Sequence, residues 1–175
     1  ALSAAGYQVR LFDRSPSPFQ KINQEMIVGD IMDLQQVIDA VKGADIVYNF
    51  AAIADIDEAH DKPVATAAIN VLGNTHLLEA ARQAQARRFV FASSVYVYSE
   101  SGSFYRASKQ AAERFTETYH DRYGLEYNIL RYGSLYGRRS DRRNGIYRML
   151  HEAIMHHTIT YKGSGNAMRE YIHVE

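Results

Sequence analysis

The feature that most restricts this chain is an alternation of period along its length. Short runs rich in β-branched and aromatic residues are separated by longer stretches in which apolar residues recur at helical spacing. Strands interleaved with helices in this way predict an α/β fold of parallel strands joined by crossover helices. Gly6 is expected to cap an opening helical segment, and Tyr7 to Asp13 reads as a strand that ends in an acid. A second short strand, Met26 to Gly29, precedes a helix capped by Asp33 that carries Leu34, Val37, Ile38 and Val41 on one face and stops at Gly43. Asp45 to Phe50 is a buried strand running into the small residues Ala51 and Ala52. One long helix is predicted from Pro63 to about Gln85, a strand up to Ala92 that delivers Ser93 and Ser94, a helix from Phe104 to Tyr123 ended by Gly124, a strand from Tyr127 to Arg131 and a helix from Gly145 to His156. Thr158 to Tyr161 and Glu170 to Val174 read as short strands flanking the turn Gly163-Ser164-Gly165.

Composition narrows the partners. With 175 residues, 46% of them hydrophobic, the chain is long enough to bury one ordinary core. Twenty Lys and Arg balance twenty Asp and Glu, so no net field draws the chain to nucleic acid or to an anionic membrane. The basic run Arg138, Arg139, Arg142 and Arg143 reads as a solvated loop, and the thirteen tyrosines are scattered as packing residues rather than interleaved with basic ones. His151, His156 and His157 share no ligand-like spacing with a carboxylate, so no metal is expected. The absence of cysteine fits a reducing, cytoplasmic compartment, and no segment reaches the roughly 18 to 20 apolar residues of a membrane span. The opening Ala-Leu-Ser-Ala-Ala-Gly reads as the tail of a helix already under way, so the natural sequence is expected to continue upstream.

In open parallel sheets ligands bind beyond the carboxyl ends of the strands, which directs attention to Asp13, Asp30, Phe50 to Ala52, Ser93, Ser94 and Tyr132. An acid closing an early strand of a dinucleotide fold accepts hydrogen bonds from the adenosine ribose and repels a 2′-phosphate, so Asp13 favours NAD over NADP; Arg14 beside it could instead pair with that phosphate. Tyr105 and Lys109 lie four apart, on one face of one helix. A free tyrosine titrates near ~10, but a neighbouring ammonium and the cationic ring of an oxidised nicotinamide both favour the phenolate. The pair can therefore work as a general base, with a strand-end serine hydrogen-bonding the same substrate oxygen.

From Tyr7 to Glu175 the order of motifs resembles the extended short-chain dehydrogenase/reductases, within them the NAD-dependent epimerase/dehydratase group and above all the nucleotide-sugar 4-epimerases of the UDP-glucose/UDP-galactose type. The stretches that carry the resemblance are Val9 to Arg14, Gly29-Asp30-Ile31, Asn49 to Ala52, Asn70-Val71-Leu72-Gly73-Asn74-Thr75, Phe91 to Tyr98, Tyr105 to Lys109, Leu130-Arg131-Tyr132 and Arg169 to Glu175. It implies a Rossmann-like doubly wound parallel sheet over residues 1–132 and the start of a small substrate-binding subdomain over 133–175. It also implies NAD as cofactor, with Asp13 and Arg14 at the adenosine ribose and Asp30 and Ile31 flanking the adenine. Phe50, Ala51 and Ala52 would line the path to the nicotinamide ribose, with Asn70, Ser93 and Tyr132 also against the cofactor. Ser94 would be the catalytic serine, Tyr105 the base, and Lys109 both the acidifier of Tyr105 and a ribose ligand. Ser94, Ser134 and Arg169 would meet the substrate, Arg169 at its diphosphate, and the helices beginning near Pro63 and Phe104 would pair with a second copy in a homodimer.

Departures from the family pattern sharpen the expectation. The first strand and its Gly-x-x-Gly-x-x-Gly loop, which cradles a pyrophosphate at a helix N-terminus, are not in these residues, so NAD should bind weakly to this stretch by itself. The segment from Ser94 to Tyr105 is short, Ser99 stands where a glycine usually follows Val-Tyr, and Gly133 and Ser134 stand where many epimerases carry Asn. Related dehydratases place an acidic pair after the catalytic hydroxyl residue; here Val95 and Tyr96 occupy those places, which leaves reversible hydride transfer. That chemistry suits an epimerase, or a reductase or dehydrogenase of a sugar or steroid-like alcohol. A non-catalytic dinucleotide sensor would be expected to have lost the Tyr and Lys pair.

Overall fold

The computed structural model describes residues 1–160 and 170–175. A single 3₁₀ turn, Leu2–Ala5, ends at Gly6, and the first strand, β1 (Val9–Asp13), pairs in parallel with β2 (Gln24–Val28), Val9 opposite Gln24 and Asp13 opposite Val28. Helix α1 (Leu34–Val41) starts where Asp33 accepts hydrogen bonds from the Gln35 and Gln36 N–H groups at 3.0 and 3.1 Å. Its buried face, Val37, Ala40 and Val41, follows the helical spacing of the sequence.

Strand β3 (Ile46–Asn49) leads into a region where the expected single helix is divided. Asp55 caps an unanticipated short helix α2 (Ile56–Asp61), accepting from Glu58 N at 2.9 Å, and Pro63 opens α3 (Pro63–Ala67). A π turn, Ala68–Leu72, follows before α4 (Gly73–Gln83). The π turn widens the helix by one residue at Asn70, a distortion that sequence periodicity does not register. Strand β4 (Arg88–Ser94) pairs in parallel with β3, Asn49 opposite Phe91, and α5 (Ser103–Tyr123) ends at Gly124, whose φ of 70° is a left-handed helix stop. Strand β5 (Glu126–Tyr132) completes the order β3-β4-β5. Ile31, Val37, Leu78, Phe89, Phe91 and Ala112 belong to one buried cluster between these elements.

Among the described residues the β1·β2 pair and the β3-β4-β5 sheet are not hydrogen-bonded to each other. In the doubly wound order the first strand of the fold runs between the second and fourth. The break therefore falls at the place that the doubly wound order gives to its first strand.

The chain divides into two compact units, Ala1–Leu130 and Arg131–Glu175, two residues before the boundary read from the sequence. In the second, β6 (Ser134–Tyr136) pairs in parallel with β7 (Tyr171–His173), and α6 (Gly145–His156) is capped by Asn144, which accepts from Tyr147 N at 3.1 Å. Strand β6 was not anticipated. Residues 158–160 are not a strand, because Thr160 sends its N–H and its hydroxyl to the Glu152 carboxylate at 2.9 and 2.5 Å instead of to a ladder. Tyr161 and the expected turn at Gly163 to Gly165 lie outside the described residues.

Since a side chain at Gly124 would be forced into the left-handed region, Gly124→Ala should cost about 1 kcal/mol and Gly124→Asn clearly less. Denaturant midpoints of the three proteins would rank them.

Candidate active site

Three of the expected residues come together where β4 meets α5. Ser94 ends β4 and is 6% exposed; Tyr105, on the first turn of α5, is 9% exposed, and the Ser94 side chain lies close enough to favour its phenolate. Lys109 follows one turn later, with its Nζ 5.8 Å from the centre of the Tyr105 ring and 4.9 Å from that of Phe91. It donates to the Ala92 carbonyl at 2.7 Å. The short connection between Ser94 and Tyr105 does not pull them apart, because α5 straps it down. Arg106 donates to Ser99 O at 2.5 Å, Gln110 to Val97 O at 2.9 Å, and Gly102, at φ 103°, makes a turn in which a Cβ would press on Tyr96 and Arg106 at 3.1 Å. The Tyr96 ring stands edge-on to Tyr105 at 6.3 Å.

The electrostatics differ from the sequence expectation. Burial pushes the Tyr105 phenol above the ordinary tyrosine value; the Ser94 side chain opposes this and Tyr96 adds to it. Lys109 does not supply the expected lowering. Its ammonium is turned onto the Ala92 carbonyl, and burial brings its own pKa down to about 8.

A polar frame supports the site. Asn49, at the end of β3, accepts from Ala51 N at 3.0 Å and donates to Asn74 Oδ1 at 2.8 Å, while Asn74 reaches Ala112 O on α5 at 3.4 Å. Asn70, in the π turn, accepts from Ile53 N at 2.8 Å and donates to Ile53 O and to Ser108 Oγ at 3.1 and 2.9 Å. Its polar atoms are thus turned on the chain itself, and it holds the segment after β3 against α5. Ser93 is turned likewise, for its hydroxyl donates to the Glu113 carboxylate at 2.5 Å. Glu113, Asn49, Asn74 and Ser108 were given no role by the sequence reading. For Glu113 the signal was available: 105, 109 and 113 continue one spacing of four.

Of the remaining expected residues, Asp13 and Asp30 present exposed carboxylates at the ends of β1 and β2, accepting from Ser15 N at 3.0 Å and Met32 N at 2.9 Å, with Arg14 exposed alongside. Ile31 is not available to flank a ligand with its side chain, which is 7% exposed and packs where a Cβ on Gly73 would lie 3.1 Å away. Phe50 is 64% exposed and stacked on Tyr48, and Ala51 and Ala52 follow it. In the second unit Tyr132 ends β5 and is half-buried. Ser134 N donates to Glu170 O at 3.0 Å, and a Cβ on Gly133 would meet that same carbonyl at 3.1 Å, so the close approach of the two backbones suits glycine. Arg169 lies outside the described residues.

A serine, a tyrosine and a lysine gathered at a strand end fit a whole-chain match: residues 1–175 align with the model of the NAD dependent epimerase/dehydratase family. The chain belongs to that family. It is 31% identical over 166 residues to the low-salt glycan biosynthesis protein Agl12 of Haloferax volcanii, covering 87% of this chain and 54% of that protein. It is 29% identical over 170 residues to the UDP-glucose 4-epimerase of Mycolicibacterium smegmatis, covering 86% and 54%. Among solved structures it is similar to MoeE5 in complex with UDP-glucose and NAD, with a TM-score of 0.86, 27% identity and coverage of 98% of this chain and 61% of that one. The chain spans about half the length of the curated relatives it matches.

In this epimerase/dehydratase chain Lys109 gives a measurable pH signature. Its folded pKa of about 8 lies below its ordinary value of 10.5, so the unfolded state binds the extra proton between those limits and stability contributed by this group rises with pH across them. Relative to Lys109→Met, the wild type should gain on the order of 2 kcal/mol as pH goes from about 8 to 10.5. Parallel denaturant titrations at several pH values would show a flat difference if Lys109 is not desolvated.

Proposed function

We propose that this chain carries the catalytic part of an NAD-dependent epimerase that inverts a nucleotide sugar at C4 through a 4-keto intermediate. The observation that supports it most is the buried Tyr105 phenol beside the buried Ser94 side chain, with Lys109 one helical turn away. Val95 and Tyr96, which follow Ser94, offer no acid to expel a hydroxyl, so oxidation without dehydration is the chemistry the residues suit.

The residues present fit the two ends of NAD. Asp13, with one carboxylate oxygen accepting from Ser15 N, is exposed at the end of β1 and suits ribose hydroxyls; Ala51 and Ala52 let a ligand approach the backbone after β3. NAD supplies the hydride acceptor and, after the sugar turns, the hydride donor. Tyr105 takes the proton of the C4 hydroxyl and later returns it, Ser94 donates to the same oxygen, and Lys109, bonded to the Ala92 carbonyl, holds the strand end against the helix that carries the phenol. Burial alone leaves that phenol a weak acid, so its acidity in this reading depends on a cation arriving beside it, which couples deprotonation to the oxidised ring.

The partner we propose is a second copy of the chain. A groove of about 210 Å³ runs between Pro63, Ala67 and Val71 on one side and Phe104, Ala107 and Ala111 on the other. Val64 and Phe115, 83% and 43% exposed on the same helices, extend apolar surface that helix pairing would cover.

The full-length protein given NAD and UDP-glucose should yield the C4 epimer, followed by proton NMR; reduced cofactor accumulating with substrate would make it a dehydrogenase. Tyr105→Phe should lower kcat by about 10³-fold with NAD affinity retained, and unchanged turnover would remove this mechanism. Phe104→Asp should shift sedimentation from dimer to monomer; a monomeric wild type would refute the pairing.

A further inference from the structure

Among the described residues, one buried ionisable side chain outside Ser94, Tyr105 and Lys109 has no part in the chemistry above. Glu113 is 3% exposed on α5, four residues after Lys109 and eight after Tyr105, so helical spacing sets all three on one face. That face also carries Ser108, Ala112 and Thr116, and it is polar although buried. A carboxylate costs several kcal/mol to bury unless it is well bonded, and the neighbouring Ala112, Phe89 and Phe91 show that an apolar residue would suit the surroundings. Among the groups that hold it is the Ser93 hydroxyl, 4% exposed, which donates to its Oε1 at 2.5 Å. Two of the last three residues of β4 are thereby held by α5, Ala92 O by Lys109 and Ser93 by Glu113, and Ser94, the third, follows directly beside Tyr105.

We infer that Glu113 is a positioning residue, which by gripping Ser93 fixes the end of β4 so that the next hydroxyl, that of Ser94, meets the Tyr105 oxygen. The inference rests on the proposed reaction for its effect on rate, but not for its geometry. A strand end restrained only by its ladder would let Ser94 move relative to α5, and a displacement of about 1 Å at a reacting group can cost about 100-fold in rate. The carboxylate accepts only, so it also orients the Ser93 proton away from any ligand.

The test uses the full-length protein with NAD and UDP-glucose. Glu113→Ala should lower kcat about 100-fold while the Kd for NAD stays within about twofold. Glu113→Gln, whose amide oxygen still accepts from Ser93, should recover kcat to within about fivefold. Ser93→Ala should match Glu113→Ala, and the double variant should be no slower than either. An NMR titration of the Tyr105 ζ-carbon reads the geometry without turnover: losing Glu113 should raise the Tyr105 pKa as far as Ser94→Ala does. If Glu113→Ala does not fold, Ser93→Ala carries the same two measurements. A lower melting temperature with kcat and the Tyr105 titration unmoved would make Glu113 a core residue and overturn the inference, as would a glutamine variant as slow as alanine. If the wild type turns over no nucleotide sugar, the proposed reaction fails, and the titration still decides on Glu113.

Discussion

Everything in the first unit is arranged around one contact: the polar face of α5 buried against the end of β4. Tyr105, Ser108, Lys109, Glu113 and Thr116 are all under a tenth exposed, and hydrogen bonds within the chain hold each of them. Apolar packing gives the surrounding cluster its cohesion, but it has no direction. Hydrogen bonds between α5 and β4 supply direction, and they fix which atoms of the strand end face which atoms of the helix. The Asn49–Asn74 and Asn70–Ser108 contacts extend the same principle to the segment after β3, so two neighbouring strand ends are referenced to one helix.

The electrostatic design follows from that burial. Burying Tyr105 and Lys109 disfavours both of their charged forms, raising one pKa and lowering the other, so the two groups are held close without the chain itself driving a proton between them. Geometry is built in, and acidity is left to depend on what binds.

Much of this was readable from the sequence because it rests on periodicity and caps. The α5 boundary at Gly124, the Asp33 cap, the α6 limits and the Ser94, Tyr105 and Lys109 trio all depend on local spacing or on residue types with strong conformational preferences. What was missed depends on long-range partners. The π turn at Asn70 distorts a segment whose apolar spacing reads as one helix. The inward packing of the Ile31 side chain depends on Gly73, and the hydrogen bond that the Ser93 hydroxyl donates depends on Glu113, twenty residues later. A pairing of Tyr105 with Lys109 could be inferred from their spacing, but the direction of the ammonium could not, since it is set by a carbonyl on another element.

The break in the sheet has a consequence for handling the molecule. Strands β1 and β3 each have one flank without a ladder among the described residues, and Tyr48 and Phe50 beside the second are substantially uncovered. Open backbone flanked by aromatics is a template for any extended peptide that drifts by. The stretch Val9 to Phe50 thus carries two ladder-free strand flanks, the kind of edge that natural sheets shield with charge, proline or a covering segment.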